Sequence, residues 1–321
     1  MPGRDSRWAR PAVILVATDL TDLDRLMPHA LEQAVETGAG IILFHVVGPG
    51  AAMAVDAAGL PYYDPSGALE FFEQPLQTWC ASARMHGVSC EALVCEGNPA
   101  QQIASTIGKF HADRLIVGTR SRGRLGKLLI GSVAEHVLRS VDLPVITVGP
   151  VAHLPSQAPG ESHSSASGRV VLHATLLGEA SHPSAALACQ IAAEQKAKLI
   201  LLHVLPPIDE MERKGLPTGI DSAAMHELRA LAVRTGTGCC GFIEPMVAHG
   251  NPAIEILAAS AECEASLIVL GATHRSAFEN LTRDRTIYRV LAHARCPVLT
   301  LRQPVANHDE SAVAHAASGQ L

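Results

Sequence analysis

The chain repeats itself. Gly97-Asn98-Pro99-Ala100 returns as Gly250-Asn251-Pro252-Ala253, Leu115-Ile116-Val117-Gly118 as Ile268-Val269-Leu270-Gly271, and Leu143-Pro144-Val145 as Cys296-Pro297-Val298, each at an offset of 153. Phe44-His45-Val46 returns as Leu202-His203-Val204 at an offset of 158. Separate matches at one spacing mark a tandem duplication, so the two halves must share one fold. The length of 321 residues agrees with two domains.

Within each half, short apolar runs alternate with amphipathic stretches. Ala12–Ala17, Gly40–Val47, Leu93–Cys95, Leu115–Gly118 and Pro144–Val148 read as strands. The first, second and fourth lack polar alternation, as strands buried on both faces of a parallel sheet do. Leu23, Leu26, Met27, Ala30, Leu31 and Ala34 form a stripe at helical spacing. Leu69, Phe72, Leu76, Trp79 and Ala83 form a second, with Pro75 bending or starting that helix. Ile103 and Ile107 mark a third helix, and Val133, Val137, Leu138 and Val141 a fourth. Strands alternating with helices define a doubly wound α/β domain. The boundaries read as 11–150 and 169–302, with a Pro- and Ser-rich linker at 151–168 and a flexible tail at 303–321. The pattern restarts at the strand Arg169–Thr175, the helix Ser184–Gln195 and the strand Leu199–Val204; Pro206–Asp221 reads as loop, and the first ten residues as an unanchored end.

Composition narrows the function. Apolar residues are 48% of the chain but aromatics only 3%, so the cores are aliphatic. A formal net charge of −6 lacks the basic field of a nucleic-acid binder. No run reaches the roughly 18 apolar residues of a membrane span. The eight cysteines have no CxxC or framework spacing and read as reduced thiols of a cytoplasmic protein. The sixteen histidines are scattered without metal-ligand spacing; His45 and His203, at equivalent strand ends, read as structural.

The informative segment runs from Val117 to Glu135. It leaves a buried strand, crosses a loop carrying Arg120, Arg122, Arg124 and Lys127, and enters a helix at Ser132. Free N–H groups and partial positive charge at a helix start, with clustered cations, suit a polyphosphate. Equally, Ser132-x-x-Glu135 is a capping box, which needs no ligand. The segment is no Walker A loop, since Gly118-x4-Gly123 is followed by Arg124, and no G-x-G-x-x-G follows the first strand. There is no G-x-S-x-G elbow, so no nucleophile is placed beside a base.

These residues resemble the universal stress proteins, whose ATP-binding members carry G-x2-G-x9-G-(S/T) after the fourth strand. Here the pattern is Gly118-x2-Ser121-x9-Gly131-Ser132, joined by Thr18-Asp19, His45-Val46, Gly97-Asn98-Pro99 and Leu143-Pro144-Val145. The resemblance covers about 11–150 and, more weakly, 169–302. It implies two doubly wound five-stranded parallel sheets in strand order 3-2-1-4-5, with a ligand crevice where the order reverses. It further implies ATP, with or without Mg, as ligand of the first half. Asp19, after Ala17 and Thr18, would meet adenine or ribose, or else only cap the next helix; Val46 would offer its backbone to adenine or lie in the core. Gly118, between Val117 and Thr119-Arg120, would line the ribose, and Ser121, Gly131, Ser132 and Val133 would hold phosphates. Ser121 replaces the second glycine of the family pattern, so it is either strained by about 1 kcal/mol or uses its hydroxyl on a phosphate.

The second copy departs further. Leu176 stands where Asp19 stands, and Gly271-x2-His274-x9-Asp284-Arg285 keeps only the first glycine. A carboxylate at Asp284 repels phosphate, while Arg275, Arg283 and Arg285 remain for some other anion. The second half then reads as a degenerate structural partner. Protomers of the family pair along the fifth strand, so a tandem chain would join Val145–Val148 to Val298–Leu301 as an intramolecular pseudo-dimer, and a homodimer stays open. Function reads as an ATP-binding stress-response regulator with unidentified protein partners, a nucleotide-independent scaffold, or a slow ATPase. Asp19 is the one carboxylate that sequence places near the crevice, so turnover would be slow and a nucleotide-driven population shift the better mechanism.

Overall fold

The computed structural model describes residues 4–48, 53–55, 61–119, 130–155, 168–178, 181–209, 219–236, 242–273 and 281–303. The first half comprises α1 (Arg4–Ala9), β1 (Val13–Thr18), α2 (Leu23–Thr37), β2 (Gly40–Val47), a small antiparallel pair β3 (Met53–Val55) and β4 (Pro61–Tyr63), α3 (Pro65–Met85), β5 (Cys90–Glu96), α4 (Pro99–Phe110), β6 (Arg114–Gly118), α5 (Ser132–Ser140) and β7 (Val145–Val148). The second comprises β8 (Val170–Ala174), α6 (His182–Glu194), β9 (Lys198–Leu205), α7 (Ile220–Gly236), β10 (Ile243–His249), α8 (Pro252–Glu262), β11 (Leu267–Thr273), α9 (Leu281–His293) and β12 (Val298–Gln303).

The strands form one ten-stranded sheet in the order β10-β9-β8-β11-β12-β7-β6-β1-β2-β5. Each half is parallel and runs 3-2-1-4-5, as the resemblance implies. The halves meet in the single antiparallel pair of the large sheet, Val298↔Thr147, Leu299↔Ile146 and Thr300↔Val145. Completely apolar strands such as Ile14-Leu15-Val16 are buried because helices cover both faces. One apolar layer packs α2, α3, α6 and α7 against the sheet, and another packs α4, α5, α8 and α9; both layers run across the two halves.

The repeated Gly-Asn-Pro motif has a local cause. Gly97 and Gly250 adopt φ of 139° and 142°, a region closed to side-chain-bearing residues. Asn98 then caps α4, accepting from Gln101 N at 3.2 Å, and Asn251 caps α8, accepting from Ala253 N at 3.1 Å. Pro99 and Pro252 follow at the first helical turn, where the missing N–H costs nothing.

Several expectations are corrected. Of the two roles expected of Pro75, bending or starting its helix, the start falls instead to Pro65, behind the cap Asp64, and Pro75 lies inside α3. The end expected to be unanchored carries α1, which packs on α6, and its Trp8 carbonyl accepts from Arg114 Nη2 at 2.5 Å. Cys80 on α3 and Cys90 on β5, expected to be reduced, are joined in a buried disulfide; a ten-residue separation across a helix and its neighbouring strand carries no motif in sequence. The loop expected over 206–221 gives way to α7 at Ile220, and 210–218 lie outside the described residues, as do 156–167 of the linker and 304–321 of the tail. Among the described residues, no helix is long and apolar enough to cross a membrane.

Candidate functional site

The strand order of the first half reverses between β1 and β6, so the segments after Thr18 and Gly118 diverge around a crevice at the carboxyl ends of the strands. Thr18 organises one wall. Its hydroxyl donates to Asp22 Oδ1 at 2.6 Å and accepts from Leu20 N at 2.9 Å, while its carbonyl accepts from His45 Nδ1 at 2.9 Å. His45 thereby ties the end of β2 to the end of β1, and its ring lies 5.3 Å from that of Phe72. Leu20 is held at φ 73°, a conformation leucine rarely takes. Val46, half-buried at the end of β2, packs on the apolar layer beneath.

Asp19 is exposed and folds back on its own loop, its Oδ1 accepting from Thr21 N at 2.9 Å and Thr21 Oγ1 at 2.6 Å. The carboxylate inside the crevice belongs to Asp22, which sequence reasoning missed. Asp22 is 4% exposed, and a Cβ on Gly118 would collide with its Oδ2. Gly118 is therefore required here by close approach rather than by its dihedral angles. Burial pushes the Asp22 carboxyl above its ordinary value, with Asp19 adding to the effect; the Thr18 hydroxyl and Arg25 oppose it. Arg25, also missed, keeps both terminal guanidinium nitrogens buried without a hydrogen-bond partner. The only sequence signal for either residue is an Asp three positions before an Arg at a helix start, which is commonplace on solvated helices.

The other wall is the start of α5. Thr119 is buried, and its carbonyl accepts from Gly131 N at 3.2 Å, so the chain leaves and re-enters the crevice at one hydrogen bond. Gly131 is the N-cap of α5, with φ −60° and ψ 143°, and as a glycine it brings no side-chain cap of its own. The capping box expected at Ser132 does not form, because Ser132 is already the first helical residue. Glu135 turns away instead: its Oε1 pairs with Arg139 at 2.8 Å and accepts from the Tyr288 hydroxyl of the second half at 3.1 Å. Ser132 is exposed and Val133 half-buried at this end. Arg120 and Ser121, with the loop cations Arg122, Arg124 and Lys127, lie outside the described residues. The structure thus brings Ala17, Thr18, Val117, Gly118, Thr119, Gly131, Ser132 and Val133 to the two walls, and leaves Asp19 on the rim.

The second half repeats one wall and not the other. Leu177 N donates to Thr175 Oγ1 at 3.1 Å, Leu177 sits at φ 65°, and His203 Nδ1 donates to the Thr175 carbonyl at 2.9 Å. Leu176, in the place of Asp19, is 58% exposed. On the other wall α9 already begins at Leu281, so Asp284, the counterpart of Gly131, lies inside the helix. The amides that α5 leaves free are, in α9, within an ongoing helix.

Fold and site together define a tandem doubly wound α/β protein with an uncapped helix end at the switch point of its first sheet. Residues 12–149 and 169–302 each match the sequence model of the Universal stress protein family, and the chain belongs to that family. It is 24% identical over 313 residues to a universal stress protein of Mycolicibacterium smegmatis, covering 90% of this chain and 96% of that one. It is similar in structure to a universal stress protein from Archaeoglobus fulgidus, with a TM-score of 0.68 at 19% identity over 91% of this chain and 98% of that one. A second A. fulgidus structure, solved in complex with dAMP, aligns over 43% of this chain and 98% of its own, at 19% identity and a TM-score of 0.31.

Proposed function

We propose that the first half binds an adenine nucleotide, ATP by the family pattern, and that the second half is a structural partner without a nucleotide. The observation that carries this reading is the start of α5, left without a side-chain cap beside Gly118 while Glu135 is held elsewhere. The amides of a helix start and the positive end of the dipole favour a phosphate chain there. In this reading Gly131, Ser132 and Val133 hold phosphates from α5, and the family pattern assigns Ser121 and its neighbour Arg120 to the same ligand. Gly118 and Val117 line the ribose, Val46 offers its backbone to adenine, and Thr18, Ala17 and Asp19 border the base. Arg25 supplies counter-charge beside Asp22. Magnesium would arrive with ATP and offset the charge of its phosphates. The second half is excluded by the earlier start of α9 and by Leu176.

The biological role is regulatory and cytoplasmic: nucleotide occupancy alters which proteins dock on the crevice. The test is the melting of purified protein with and without ATP, together with mass analysis of co-purified nucleotide. Stabilisation follows only if the folded state binds. ATP raises Tm, and Gly131→Asp, which sets a carboxylate at the phosphate position, removes the rise. An unchanged Tm with millimolar ATP and no co-purified nucleotide would overturn the reading in favour of a nucleotide-independent scaffold.

A further inference from the structure

At the opposite end of the sheet, where parallel strands begin, the two halves flank an open cavity of about 200 Å³. Arg114 from the first residue of β6, with Gln33, Glu36 and Thr37 from the end of α2, forms its first-half wall. Arg169, Glu194, Gln195 and Lys196 form the second-half wall, and Ala9 of α1 closes one side.

Arg114 is the unusual member. It is 4% exposed, and among the described residues no carboxylate pairs with it directly, although the charges of Asp113 and Glu36 act on it. Nη1 donates to Gln33 Oε1 at 2.6 Å and Nη2 to the Trp8 carbonyl at 2.5 Å, both uncharged acceptors, and Nε has no hydrogen-bond partner. The carboxylates near it are engaged elsewhere. Asp113 accepts from the backbone N–H of Ala12 at 2.8 Å and of Val13 at 3.2 Å. Glu36 pairs with Arg169 and accepts from Gln195 Nε2 at 3.1 Å, and Glu32 pairs with Arg169 at 2.9 Å. A buried guanidinium with only neutral acceptors and an orphaned donor is costly, and an apolar residue of similar size would be cheaper. The cavity wall carries three cationic side chains, Arg114, Arg169 and the exposed Lys196, against two carboxylates, Glu36 and the exposed Glu194.

We propose that this seam cavity is a binding site for a small oxyanion, the carboxylate or phosphate group of a metabolite, held between Arg114 of the first half and Lys196 of the second. The ligand gives the Arg114 guanidinium, which donates to uncharged atoms of Gln33 and Trp8, a charged hydrogen-bond acceptor. Its two anchors lie in different halves, so occupancy strengthens their association without touching the crevice at the other end of the strands. The proposal stands apart from the nucleotide reading and survives its failure.

The experiment uses the full chain carrying Gly131→Asp, so that anions at the start of α5 do not contribute. Melting is followed against inorganic phosphate and against succinate, with sodium chloride at matched ionic strength as reference. A saturable rise in Tm beyond the chloride reference, with either anion, supports the site, and the more effective anion identifies its class. Adding Lys196→Gln, an exposed lip position, weakens that response about fivefold, the scale of one partly exposed charge contact. Arg114→Met abolishes the response; if it does not fold, Lys196→Gln alone decides. A response no larger than that of chloride, or one unchanged by Lys196→Gln, overturns the proposal.

Discussion

Asp22 shows how one residue can determine the character of a site. Its carboxyl is raised chiefly by burial, so the unfolded chain ionises first as pH rises. Stability is therefore fully present below the ordinary value of 3.8 and is lost as pH climbs through the raised folded value. Asp22→Asn keeps an oxygen for the Thr18 hydroxyl and removes the titration. The stability difference between variant and parent should grow with pH from about 3.8 and then level off, as followed by urea unfolding across pH. Gly118→Ala acts on the same contact from the other side. Its Cβ would meet the Asp22 carboxylate, which is already anchored by Thr18, so the change should cost about 1–3 kcal/mol in urea unfolding. Neither effect is legible in sequence. Thr18-Asp19 stands out as a motif, but which of Asp19 and Asp22 faces inward depends on Leu20 turning the chain at φ 73°.

Among the elements, α5 is the one that both halves handle. Its first turn opens on the crevice, while Tyr288 of α9 reaches Glu135, and Arg302 of β12 donates to Asp142 Oδ1 and to the Arg139 carbonyl beyond its last turns. The second half thus restrains the one carboxylate that a capping box would have turned onto the helix start. Tyr288→Phe removes that donor, leaving Arg139 alone to hold Glu135. ATP affinity should fall about threefold, the order of one hydrogen bond on a charged group near the surface, read by titration calorimetry. The capping box illustrates why element ends resist sequence reading. Ser132-x-x-Glu135 has the right residues at the right spacing, but the Thr119–Gly131 hydrogen bond sets the helix start one residue earlier than the box requires. The strand and helix alternation, by contrast, was legible because unbroken aliphatic runs have no favourable place except between two helical layers.

For the whole molecule, the seam is the decisive structure. Ile146 and Leu299 face each other across it with no exposure, and Thr300 Oγ1 donates to the Val145 carbonyl at 3.3 Å. Closing β7 against β12 removes two open sheet edges that would otherwise invite pairing with other chains. Leu299→Ala should cost about 2–5 kcal/mol, because the sheet on either side prevents collapse of the cavity it leaves. The loss should appear in guanidinium unfolding as a lower midpoint, with one transition if the halves stay coupled through their shared apolar layers.

Duplication, the 3-2-1-4-5 order and the pairing of the fifth strands followed from residue order alone, through repeated motifs and the resemblance that they carried. Those features depend on patterns of tens of residues, which tolerate local error. The burial of Asp22, the glycine start of α5, the Cys80–Cys90 bond and the uncharged acceptors of Arg114 came only from the folded chain. Each depends on which atoms from distant segments arrive within a few ångströms of one another, and on what solvent they lose in arriving. No spacing along a single sequence encodes that.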